Sequence, residues 1–212
     1  MKRKSILIVG ALSFMSAPLF AQDNNDVSDA SHNLDLNVPE VALIDIYDNN
    51  TSAEAATITF DMADVTATGV NREAGLYAFG DISYTDLWLN YTSVTGGLGS
   101  GFDVTRQIDV QMEIGSTFPG NLDLRITPEA PVIVTDGGDA NSAGTITAGG
   151  VALGVSTAIG VDATLVNSIE SVYTGDGTQG VKLTYTLEQN GNFAGYQAGM
   201  YSASLKYTIS DL

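Results

Sequence analysis

The chain has no cysteine, one histidine, one tryptophan, and 8 basic residues against 25 acidic ones. Each shortage removes a class of explanation. Without cysteine there is no disulfide framework, no thiolate metal site and no lipid-modified cysteine to anchor the chain. The lone His32 lies in a polar stretch, so a Ser–His–Asp hydrolase site would rest on one residue outside any folded pattern. A zinc site built on several histidines is excluded by count. A formal charge of −17 repels nucleic acid and anionic headgroups. No apolar run has the length of a membrane-spanning helix.

What is present begins with an export pattern. Lys2, Arg3 and Lys4 precede a short apolar stretch that runs from Ser5, and polar residues follow Ala21. This reads as a signal peptide over residues 1–21, too short and wrongly flanked for an anchor helix. Its removal takes away three basic residues and no acidic one, so residues 22–212 carry a formal charge of −20. The expected location is the periplasm or the outer cell surface. Residues 22–32 are polar and acidic and read as a disordered leader. Residues 33–212 are expected to form one domain, which must rest on its hydrophobic core alone.

Period-2 alternation dominates from residue 33 onward. Leu34, Leu36 and Val38 alternate with polar residues until Pro39 intervenes. The same pattern recurs at Ile58–Met62, Ile108–Ile114, Leu122–Ile126, Val181–Leu187 and Tyr201–Ile209. Gly- and Asp-rich punctuators separate these runs. Only residues 162–172 carry helical spacing, at Leu165, Val166 and Ile169. Strands with one apolar face each predict two stacked antiparallel sheets, an all-β sandwich of Ig-like or jelly-roll topology.

The chemistry-bearing residues are few. A carboxylate hydrolase would need two acids at the right separation, with Asp109, Glu113, Glu73 and Glu188 the candidates. Strand parity places Asp109 and Glu113 on a polar face, where a solvated row is the ordinary explanation. Trp88 lies mid-strand and reads as core rather than as a sugar platform. Asp136, Asp139 and Asn141 form an oxygen-rich loop that could hold calcium, although the spacing is not that of an EF-hand and turn chemistry also explains it. No other cofactor is expected. The Asn49, Asn50 and Asn90 triplets match the glycosylation pattern, but a bacterial-style signal argues against glycans.

The final segment, AGMYSASLKYTISDL, resembles the closing strand of bacterial surface β-sandwiches: chaperone–usher pilins, the spore-coat-U group and WxL-type domains. Gly199 lies fourteen residues from the end, as in pilins, whereas Asp211 occupies the penultimate place that pilins give to an aromatic residue. Trp88 is followed directly by Leu89, a departure from the Trp-x-Leu motif. The resemblance implies a non-enzymatic surface subunit, with self-association or other surface subunits as partners and a periplasmic chaperone. Assembly would proceed by strand exchange, with Leu34, Leu36 and Val38 of one copy docking at Gly199, Tyr201, Leu205 and Tyr207 of the next. The same leader segment could instead be the chain's own first strand. A secreted carbohydrate- or cell-wall-binding module is the alternative function.

Overall fold

A computed structural model of the chain describes residues 29–54, 57–63, 71–73, 76–78, 80–99 and 101–212. The expected signal peptide and the first part of the leader lie outside these residues. In chain order the strands are β1 (Val41–Asp48), β2 (Ala53–Glu54), β3 (Asn71–Glu73), β4 (Leu76–Ala78), β5 (Ile82–Val94), β6 (Arg106–Met112) and β7 (Leu122–Pro128). They continue as β8 (Thr145–Ile146), β9 (Val151–Gly154), β10 (Ala163–Ile169), β11 (Val172–Tyr173), β12 (Val181–Gln189) and β13 (Leu205–Asp211). One 3-10 turn spans Ala140–Ala143, and the described residues contain no α-helix.

Every strand pairing is antiparallel. The larger sheet runs β2-β1-β5-β12-β7-β9, with β11 also on β5. The smaller runs β13-β6-β10-β8, and β3 and β4 form a separate hairpin. The two sheets pack face to face as an all-β sandwich, as the alternation predicts. Leu87, Leu89, Ile126 and Leu183 of one sheet meet Ile108, Val110, Leu165 and Val166 of the other in a single buried core. Each such side chain contributes about 1.5–3 kcal/mol of burial.

The helical spacing at residues 162–172 belongs to a strand. β10 carries two register irregularities against β6, one between Thr164 and Val166 and one between Val166 and Ile169, and Ser168 takes φ 55°. Each bulge inserts a residue and flips the alternation. Leu165, Val166 and Ile169 therefore all reach the core from a strand. The spacing of a helix face and that of a twice-bulged strand coincide here.

Two glycines open strands that join longer neighbours. Gly150 (φ 73°) and Gly180 (φ 76°) immediately precede β9 and β12. A Cβ on either would lie 2.1 Å from a backbone carbonyl oxygen, that of Ile126 or Leu89. Only glycine permits this conformation together with so close an approach.

Val38–Leu212 form one compact unit, which contains every described strand. Residues 33–38 are unpaired coil rather than a first strand, with Leu34, Leu36 and Val38 at 87 %, 85 % and 65 % exposure. The expected strand from Gly199 to Leu212 is also shorter. β6 ends at Met112, and Ser116 N–H donates to the Glu113 carbonyl (3.2 Å) as the chain turns away. The alternation continues through Gly199–Ser204, but there the regular ladder gives way to separate bonds with the turn: Thr117 N–H donates to the Ser202 carbonyl (2.8 Å) and Ser204 N–H to Ser116 Oγ (3.2 Å). The same turn carries Ile114 out of the core to 86 % exposure.

Asp123 pins two loops to the outer face of the larger sheet. Its carboxylate accepts from Ser156 N–H (2.8 Å), Ser156 Oγ (2.7 Å) and Asn190 Nδ2 (2.8 Å). Burial opposes the charge, but these hydrogen bonds outweigh it and hold the group below its ordinary 3.8. Asp123→Ala is expected to cost about 2 kcal/mol in urea denaturation at neutral pH. The contribution is present above about pH 4 and is lost as pH falls through the lowered value, so the gap between variant and parent should close in acid. A gap that persists in acid would show that the carboxylate charge is not what holds the loops.

Candidate assembly edge

Among the described residues, three of the four outermost strands of the two sandwich sheets are very short: β2 and β8 have two residues and β9 has four, and β2 covers only Tyr47 and Asp48 of β1. Short edges limit unwanted pairing. The fourth edge is β13, with seven residues. It pairs only with β6, in the register Leu205↔Met112 through Asp211↔Arg106. Ser204 accepts from Glu113 N–H (2.8 Å) and Leu212 N–H donates to the Thr105 carbonyl (3.2 Å). Alternate residues of an antiparallel strand bond to opposite sides. The even-numbered residues therefore face β6, and Leu205, Tyr207, Ile209 and Asp211 turn their backbone N–H and C=O groups toward the open edge. No described strand pairs there.

The side chains of Leu205, Tyr207 and Ile209 pack against the core and are half-buried, with β1 of the other sheet close by. The Tyr207 hydroxyl bonds that of Tyr185 across the sandwich. Burial pushes Tyr185 up to about 12 and Tyr207 well above its ordinary value. At the far end, Asp211 accepts from Arg106 Nε at 2.7 Å, and the same guanidinium reaches the Val41 carbonyl at 2.6 Å. Of the residues expected at this interface, Leu205 and Tyr207 belong to the edge strand. Gly199 and Tyr201 precede it; Tyr201 is exposed and donates its hydroxyl to the Gln197 carbonyl (2.7 Å). Ile209 and Asp211 complete the edge, and only the pairing partner reveals which strand is last in its sheet.

The other sequence candidates stand apart. Asp139 accepts both the backbone N–H (2.9 Å) and the Nδ2 (3.0 Å) of Asn141 and so caps the 3-10 turn, while Asp136 is exposed at φ 69°. Among the described residues no three His, Cys, Asp or Glu side chains converge on a metal position. Asp109 is buried, contrary to a solvated row, with its oxygens taken by Thr164 Oγ1 (2.7 Å) and Gln107 Nε2 (2.7 Å). Glu113 lies four residues on, about 13 Å away at strand rise, too far to share a bond with it. Glu188 pairs with Arg125 at 2.6 Å on the outer face of the other sheet, and Glu73 lies in β3. His32 is in exposed coil.

Trp88 is not in the core. Leu87 and Leu89 take the inward positions of β5, so parity sends Trp88 and Asn90 to the outer face of the larger sheet. Trp88 is half-buried there, opposite Tyr47 of β1 and Lys182 of β12. Asn90 is buried at 5 % exposure beside a shallow groove between β1, β5 and the turn after β11. Neither position carried a sequence signal, because burial on an outer face comes from loops folding over it. No family model, curated protein or solved structure matches the chain significantly.

Proposed function

We propose that the chain is an exported, non-enzymatic structural protein of a bacterial surface that assembles by strand exchange. The observation behind this reading is the open seven-residue edge of β13, at which no described strand pairs. Leu34, Leu36 and Val38 are the matching segment: alternating, apolar and exposed. Six extended residues span about 20 Å, close to the length of the edge. A segment from one copy pairs with the outward backbone groups of Leu205 to Asp211 in the next, and covers their half-buried side chains. A periplasmic chaperone would hold the same edge before assembly.

Deleting residues 22–38 is expected to abolish polymers while leaving a subunit that unfolds cooperatively. Replacing Leu34 and Leu36 by Asp should do the same. On an unboiled denaturing gel of surface material the parent should run as a ladder that collapses on boiling. Ladders that survive the deletion, or a deleted chain that no longer folds, would refute the exchange.

A further inference from the structure

The two ends of β13 adjoin different parts of the sandwich. At one end the Arg106 guanidinium joins Asp211 (2.7 Å) to the Val41 carbonyl (2.6 Å), so the chain enters the sandwich there. The β5–β6 loop lies at the same end: Gly96 N–H donates to the Asp103 carbonyl (2.9 Å), and Leu212 N–H to that of Thr105 (3.2 Å). Leu98, Phe102 and Leu212 are exposed there. At the other end Leu205 stands opposite Met112, whose carbonyl accepts from Gly160 N–H (2.7 Å). A Cβ on Gly160 would lie 2.8 Å from Ile114 Cγ1. Ile114 therefore packs on the turn that presents Ile159 and Val161, and all three are exposed.

These positions fix which way an added strand can run along the edge. Three Cα steps, at most about 11 Å, separate Val38 from Val41, whereas the seven residues of β13 span about 20 Å. A chain's own residues 33–38 can therefore reach its own edge only from the Asp211 end, parallel to β13. In a parallel ladder the bonds slant to the residues before and after the one opposite. The β13 carbonyl beside Val38 would then need the N–H of residue 39, which is proline. In an antiparallel ladder the bonds join residues directly opposite, so Leu34, Leu36 and Val38 carry them and Pro39 has no bond to supply. Only a neighbouring copy can arrive in that direction, with Leu34 beside Ile209, Leu36 beside Tyr207 and Val38 beside Leu205.

The donated strand then ends at the Leu205 end of the acceptor, and only Pro39 and Glu40 separate it from the donor's own sandwich. So short a link brings the two sandwiches into contact. Resting on assembly by strand exchange, we propose that copies stack head to tail, with Leu98, Phe102 and Leu212 of the donor seated on Ile114, Ile159 and Val161 of the acceptor. Contact removes both apolar clusters from water, which favours association. Each copy offers its leader at one end and receives a leader at the other. The contact is therefore heterologous, and it extends into an open filament rather than closing into a two-fold dimer.

The test uses the full chain, in which the absence of native cysteine makes any introduced thiol unique. The double variant Leu98→Cys/Ile114→Cys, treated with a short bis-maleimide, is expected to give a ladder that survives boiling. Neither single variant should give one. Both positions are exposed, so the melting temperature should match that of the parent. A treated double variant whose ladder still collapses on boiling would leave strand exchange standing and overturn the head-to-tail contact. Cross-linked pairs from Leu98→Cys alone would show that like ends meet, and would overturn it as well. Absence of any ladder from the untreated parent would remove strand exchange itself, and the contact with it.

Discussion

Replacing Arg106 by Ala is expected to lower the stability of the sandwich by about 3–5 kcal/mol, seen as a fall in urea midpoint. Arg106 is one of eight basic residues and is only 3 % exposed. It opens β6 in the smaller sheet and sends its guanidinium into the larger one. Nη1 donates to the carbonyls of Val41 (2.6 Å) and Val94 (2.9 Å) and to Ser93 Oγ (3.2 Å). Nε donates to Asp211 at 2.7 Å, and Nη2 lies 3.6 Å from Glu40. One planar group thus joins β1, β5, β6 and β13. Truncation leaves these acceptors without their donor and opens a void where the side chain lay. Glu40 Oε1, already buried without a hydrogen bond, would lose its nearest cation.

The companion variant Asp211→Asn should cost only about 1 kcal/mol or less. Its side chain is half exposed and water replaces the lost charge. Arg106→Lys should recover only part of the loss, because an ammonium cannot reproduce the planar fork. A fall in Arg106→Ala stability below about 1 kcal/mol would mean that the sheets are held by the apolar core alone.

A second large effect is expected in alkali. Tyr185 and Tyr207 share a hydroxyl hydrogen bond between the sheets. Burial pushes Tyr185 up to about 12 from its ordinary 10.0, with the Tyr207 hydrogen bond opposing part of the rise. Tyr207 is raised by burial and then by its neighbour. Between about pH 10 and 12 the folded chain keeps a proton that the unfolded chain has released. The stability is therefore fully present below about pH 10 and is lost as pH rises toward 12, by about 3 kcal/mol for Tyr185 alone. Tyr91 adds to this trend, since burial also raises its hydroxyl, which donates to the Ala143 carbonyl.

Tyr185→Phe or Tyr207→Phe alone should cost about 1–2 kcal/mol at neutral pH, because each leaves a lone hydroxyl in the interior. The double variant should recover much of that and should hold its stability further into alkali. Denaturant midpoints at about pH 8 and about pH 11 for the four chains test both parts. An alkaline loss identical in the parent and the double variant would assign the effect to other groups.

The strands of the core were legible because they are local. In β5, β6, β7 and β12 nearly every second side chain is apolar and faces inward, and alternation is visible in any sequence window. β10 defeated that rule because two bulges bring Leu165, Val166 and Ile169 to one face. β13 was legible as a strand but not in length, since the turn after Glu113 replaces the regular ladder with side-chain and single backbone bonds to Ser202 and Ser204. Arg106 carries no local mark either. Its burial depends on β1 and β5 arriving from elsewhere in the chain, and the rarity of basic residues does not reveal which one is internal.

The candidate sites divide in the same way. Leu34, Leu36 and Val38 could be read as an apolar alternation, and Leu205 and Tyr207 as part of a strand. That β13 stands at an open edge is a matter of strand order, which local pattern does not encode. The residues by themselves determined an acidic, cysteine-free, antiparallel β chain, because composition and period-2 alternation are properties of short stretches. The tertiary structure alone decided which edge stays open and which arginine is buried, because each follows from contacts between strands distant in sequence.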